Sequence, residues 1–159
     1  MKRRKASSDN AARRWLIFWC LFIGVGAVVG AVSMFLAPDG SILHMQNMLQ
    51  YFQVLPFAET LFQDYVFSGV ALLIVNGLTN LTAAALLLRK NRLGVILGGI
   101  FGVTLMLWIG IQFVIFPLNA LDIIYFLCGL CQALTGWLAW KRLRREEEKD
   151  RRKMDERDL

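Results

Sequence analysis

The sequence predicts an all-α membrane protein: a four-helix transmembrane bundle with an extracytoplasmic amphipathic interfacial helix between spans 1 and 2. Three observations carry that expectation. Of 159 residues, 57% are hydrophobic and 19% charged, whereas a soluble domain is about half apolar and about a quarter charged; the mean hydropathy is +0.50. Four stretches of more than twenty residues are almost free of ionisable groups. All eighteen Lys and Arg fall into three segments that four crossings would bring to one side. A disordered tail protein, a nucleic-acid module and a disulfide scaffold are thereby excluded as descriptions of the chain.

Residues 1–14 form a basic N-terminal segment carrying Lys2, Arg3, Arg4, Lys5, Arg13 and Arg14. The first span follows at 15–36. A helix crossing a ~30 Å hydrocarbon core needs about 20 apolar residues, and this stretch meets that length with no ionisable group except Cys20. It exceeds the 7–15 residues of a signal-peptide core, so it reads as a retained helix despite the loosely cleavage-like Ala31-Val32-Ser33.

The connection 37–64 is predicted to hold an interfacial helix over 41–55. Asp39 or Ser41 can cap it and Pro56 can end or kink it. Ile42, Met45, Met48, Leu49, Phe52 and Leu55 recur at three- and four-residue spacing, with His44, Gln46, Asn47, Gln50 and Gln53 between them. Such a helix is too polar and short to cross, so it should lie on the membrane surface or cover the bundle mouth. A second piece, 57–64, is expected to turn Phe57, Leu61 and Phe62 inward and Glu59 and Asp64 outward.

Span two is read at 65–88 and span three at 93–116, separated by a turn containing Arg89, Lys90 and Arg92. Pro117 closes span three. Asn119 then caps span four, 119–140, placing Asp122 at N3 on the favourable end of the helix dipole. The tail 141–159 is expected to prolong that helix into water, with Arg144–Glu148, Glu147–Arg151 and Glu148–Arg152 at stabilising i,i+4 spacing. The connections 37–64 and 117–118 contain no Lys or Arg. Both termini are therefore expected to be cytoplasmic, with the 37–64 connection outside, in a multi-pass protein of a bacterial plasma (inner) membrane.

Function is less directly written. Gly94, Gly98 and Gly102 repeat every four residues on span three, as Gly26 and Gly30 do on span one. Small-residue stripes allow close helix packing. The span-three stripe could also join a second copy or a membrane-protein partner. Asn76 and Asn80 on span two, Thr104 and Gln112 on span three, and Gln132 on span four place uncharged polar groups within the membrane. They should turn inward, either as interhelical glue or as the polar lining of a ligand site. No span carries a charge at its centre, which sets ion-coupled transport aside. Asp39, His44, Glu59, Asp64 and Asp122 lack metal-ligand spacing, so no metal site is expected. No Ser/His/Asp set or phosphate-cradling loop appears, and neither a catalytic residue nor a cofactor is expected.

The remaining motif is Cys128-Gly129-Leu130-Cys131 in span four. With four spans and a surface helix after the first, it resembles membrane disulfide-forming enzymes of the vitamin K epoxide reductase kind. That resemblance, loose over about 120 residues, implies thiol–disulfide chemistry at Cys128 and Cys131 beside a quinone. The family's relay cysteines in the outer loop have no counterpart in 37–64. The leading expectation is a non-enzymatic protein that binds a partner protein, a lipid or a small neutral ligand between its helices. A small-molecule transporter or channel and the membrane thiol–quinone oxidoreductase are the alternatives.

Overall fold

A computed structural model describes residues 2–55 and 57–157. Every regular element among them is helical. In chain order these are α1 (Lys2–Leu36), a 3-10 helix (Gln46–Val54), α2 (Ala58–Leu61), α3 (Val66–Leu72), a π segment (Leu73–Leu78), α4 (Thr79–Leu88), α5 (Arg92–Ile115) and α6 (Ala120–Asp155). The run α3–π–α4 is one continuous rod. With that rod counted as one, four helices are long and apolar enough to cross a membrane: Ala11–Leu36, Val66–Leu88, Arg92–Ile115 and Ala120–Asp155.

Close backbone approach determines how tightly the last two pack. A Cβ on Gly136 of α6 would lie 2.4 Å from the Gly99 Cα of α5, and one on Gly102 would lie 2.6 Å from the Ala133 nitrogen. Side chains larger than hydrogen do not fit between these backbones. Gly94 faces the Leu86–Leu87 backbone of α4, and Gly98 faces Leu16 and Cys20 of α1. The stripe Gly94, Gly98, Gly102 is thus buried against three helices of its own chain.

The stretch of α1 around Arg13, the turn before α5 and the far part of α6 meet at one end of the bundle, its basic end. Arg13 donates through Nε to the Leu87 carbonyl at 3.1 Å, and also through Nη2, satisfying an acceptor in the last turn of α4. Asn91 caps α5 by accepting from the Leu93 N–H at 3.0 Å. Arg92 pairs with Glu147 of α6, so Glu147 has a partner across helices as well as candidates along its own. Lys141 sits 3.9 Å over the Trp137 ring. Leu16, Cys20, Ala83, Leu87, Val95 and Ala139 form the core beneath.

At the opposite, connector end the sequence expectation needs correction. Residues 41–55 do not form one α-helix. The Asp39 carboxylate accepts from the Ser41 N–H at 3.0 Å and its hydroxyl at 2.8 Å, which caps a turn rather than a helix. Gly40 (φ 79) and His44 (φ 55) are left-handed, so regular helix starts only at Gln46 and is 3-10. The expected inward stripe survives for Met45, Met48, Leu49, Phe52 and Leu55, but Ile42 is exposed. Of the three side chains expected inward in 57–64 only Phe62 is so placed: Phe57, left-handed at φ 63, is 78% exposed, Leu61 is exposed too, and Ala58 takes an inward position instead. The expected helix stop at Pro56 lies outside the described residues.

The connector packs down as an aromatic roof. Phe52 stacks on Phe62 with ring centres 4.6 Å apart and meets Phe116 edge-on at 4.9 Å. The buried Tyr65 donates its hydroxyl to the Met45 carbonyl at 2.6 Å. A Cβ on Gly40 would lie 2.6 Å from the Tyr65 ring, so both the left-handed turn and the contact with Tyr65 require glycine.

Candidate functional site

Below this roof the four long helices separate enough to leave a chamber of about 320 Å³. Two glycines of α1 make room for it. A Cβ on Gly26 would come within 3.2 Å of the Tyr125 hydroxyl, and one on Gly30 within 3.1 Å of Leu72 Cδ2. Both glycines line the chamber, so the span-one pair serves a space as well as a packing face. At the mouth stand His44 of the connector with Asn119 and Asp122 at the start of α6. Asn119 caps α6 through the Leu121 N–H at 3.1 Å. Deeper in, the walls are Ile23, Ala27, Leu105 and Ile109, with Trp108 and Gln112 on the same helix as the last two.

Asn76 lies on the inner wall, inside the π segment. The wide turn has an i→i+5 pattern and departs locally from the α-helical ladder, a feature frequent at functional sites. Two side chains of the next turn bond back to its carbonyls: Thr79 Oγ1 to Val75 and Asn80 Nδ2 to Asn76 at 2.9 Å. The Asn76 side chain itself is 1% exposed, yet neither its Oδ1 nor its Nδ2 has a partner among the described residues. A buried amide without hydrogen bonds costs about 1–3 kcal/mol. Asn76 thus borders the chamber with both a donor and an acceptor unengaged among the described residues.

One helical turn toward the basic end the polar groups are differently arranged. Gln132 Nε2 faces Asn80 Oδ1 at 2.7 Å, the Gly98 carbonyl at 2.9 Å and Cys20 Sγ at 3.3 Å. Its two hydrogens serve three acceptors on three other helices. Asn80 is engaged at both ends, through Oδ1 to Gln132 and Nδ2 to the Asn76 carbonyl. This node closes the floor of the bundle below the chamber.

The five predicted site residues therefore separate. Asn76 and Gln112 line the chamber; Asn80 and Gln132 form the node and stand outside the chamber walls. Thr104 bonds back to the Ile100 carbonyl at 3.2 Å and is absent from the walls. Cys128 is buried with Ile23, Leu105 and Ile109, whereas Cys131, one turn on, is exposed. Both thiols are free, and neither borders the chamber. Sequence reasoning did not single out Tyr125, Trp108 or Ser68. Their residue types are common in spans, and only the placement of the π segment and the roof brings them to a cavity.

Beside this chamber lies a second of about 240 Å³, lined by Phe62, Phe67, Ser68, Ala71, Ile111 and Ile115 among others. The two have Met34, Met45, Leu72, Trp108, Gln112 and Phe116 in common as walls. Compared with family models, with curated proteins and with solved structures, the chain matches none.

Proposed function

We propose that this is a four-span plasma-membrane protein, with both termini cytoplasmic, that binds a small neutral ligand in an outward-facing chamber without chemistry of its own. Orientation is supported by the charge distribution: the three Lys/Arg-bearing segments converge at the basic end and none of the eighteen lies in 37–64 or 117–118. Membrane residence is supported by the four long apolar helices, whose outward faces display Phe22, Val29, Ile100, Leu107 and Leu134.

The binding reading rests on one observation, the unpartnered Asn76 amide in the chamber wall. An apolar cleft with a few convergent polar groups is the usual form of a small-molecule site. A purely structural amide would be expected to find partners, as Asn80 does at both of its ends.

Accessibility labelling tests this directly. In a chain with Cys20, Cys128 and Cys131 replaced by Ser or Ala, Asn76→Cys should react with a small membrane-impermeant thiosulfonate added outside intact cells. Adding Gly26→Leu, which fills the chamber, should abolish that reaction. Labelling of Asn76→Cys only after denaturation would overturn the proposal.

A further inference from the structure

The second chamber deepens the binding proposal, and any ligand assigned to it depends on that proposal. Its walls are apolar apart from Gln112, Ser68, the Trp108 indole N–H and the Tyr65 hydroxyl, and the last of these is already bonded to Met45. Phe67 of α3 and Ile111 of α5 border it and are both substantially exposed on the outer surface of the bundle. It is therefore a side room opening between α3 and α5, whereas the main chamber has its polar mouth at the connector. In a membrane the first opening faces lipid and the second faces water.

The two rooms differ in chemistry as well as direction. The main chamber offers Asn76, Gln112, the Tyr125 hydroxyl and the mouth groups His44, Asn119 and Asp122. The side room offers a hydrocarbon wall and one further unpartnered polar atom, Ser68 Oγ, in a side chain 8% exposed. Ser68 and Asn76 are eight residues apart on one rod, roughly 12 Å along its axis. No Lys or Arg lines either room, and the charged residue at the mouth is an acid, Asp122. That set does not suit a phosphate or carboxylate head, which is ordinarily met by Arg, Lys or clustered backbone N–H groups.

We infer that the ligand is an uncharged single-chain amphiphile, whose hydroxyl- or amide-bearing head occupies the main chamber against Asn76 and whose chain lies in the side room and leaves between Phe67 and Ile111 toward the lipid. An unpartnered donor-acceptor amide matches a head that both donates and accepts. A side exit lets a chain longer than the room remain in the bilayer, so chain length is loosely selected and head chemistry strictly.

The test uses the full chain, lacking its native cysteines and carrying Gln112→Cys, in phosphatidylcholine nanodiscs at pH 8. The reagent is the same thiosulfonate. Monodecanoylglycerol should slow labelling about tenfold when present at ten times its dissociation constant, while decanoate and glycerol at equal concentration leave the rate unchanged. Ala71→Phe, which fills the side room, should remove protection, so that its labelling rate with monodecanoylglycerol equals its own rate without it; if that variant fails to fold, Ser68→Leu serves the same purpose. Equal protection by decanoate, or protection that survives both substitutions, would overturn the inference. Labelling of Gln112→Cys that monodecanoylglycerol does not slow defeats this inference and leaves the chamber reading standing. A Gln112→Cys that never labels, together with an unreactive Asn76→Cys, defeats both.

Discussion

The basic half of the bundle and the connector half are built on opposite rules. Toward the basic end, glycines bring backbones into contact and the polar side chains are joined into a node across four helices. Toward the connector, bulky aromatics bridge over space and two whole buried polar groups, the Asn76 amide and the Ser68 hydroxyl, are left without partners among the described residues, whereas in the node only Gln132 Oε1 is. Polar groups inside a membrane protein are costly unless bonded, so one half is arranged for stability and the other carries a cost that stability alone does not explain. The difference is in keeping with the binding site proposed in the connector half.

Substitutions can break or sharpen that contrast. The largest loss is expected at Gly136→Ala, because the new methyl would meet the Gly99 Cα, a backbone atom that cannot swing away; overpacking of this kind costs on the order of 3 kcal/mol or more. Unfolding in mixed micelles should show it, and an unchanged midpoint would mean α5 and α6 do not pack this closely. Asn76→Leu should act in the other direction. Replacing an unbonded buried amide with an apolar group should raise stability by about 1–2 kcal/mol while abolishing ligand protection. A site residue whose removal stabilises the fold is the sharpest form of the contrast.

Three further substitutions have smaller effects. Tyr65→Phe removes the roof's bond to Met45; the expected cost is about 1 kcal/mol, with faster labelling of Asn76→Cys as the roof loosens. Gln132→Leu deletes the node's donor and leaves the buried Asn80 Oδ1 without a partner, at a cost of about 1 kcal/mol. It should lower the unfolding midpoint slightly and leave labelling at Asn76→Cys unchanged, since the node lies outside the chamber. Asp39 gives the least. Bonds from the Ser41 N–H and hydroxyl hold its carboxyl below the usual range. The turn's added stability is thus present above about pH 4, the ordinary Asp value, and is lost as pH falls through the lowered value. The Ser41 amide resonance should report that transition below pH 4, and Asp39→Asn should erase it.

Much of the fold is legible in the sequence because its signals are long and redundant. Twenty-residue apolar runs define helices without help from tertiary context, and Pro117 with Asn119 marks the break between the last two. The connector is legible only in part. Its apolar spacing suits an α-helix, but the left-handed residues His44 and Phe57 carry no sequence signature of that conformation and shift the helix start and one inward position. Among the site residues, Asn76 and Asn80 look alike in sequence, two amides on one rod. What separates them is a π turn that no residue pattern announces and the reach of Gln132 from another helix. Sequence can list the polar groups in a span but cannot say which of them are already bonded.

The length of α6 links the two surfaces mechanically. Its 36 residues make a rod about 54 Å long at 1.5 Å per residue, beginning beside the chamber mouth at Asn119 and ending in the Arg- and Glu-rich tail. Braced at Gly99 and Gly136 near mid-length, it has the mechanics of a lever. A pivot of about 5° there would displace each tip by roughly 2 Å, so under the proposed binding a ligand at the chamber mouth would be geometrically coupled to the position of charge at the far end.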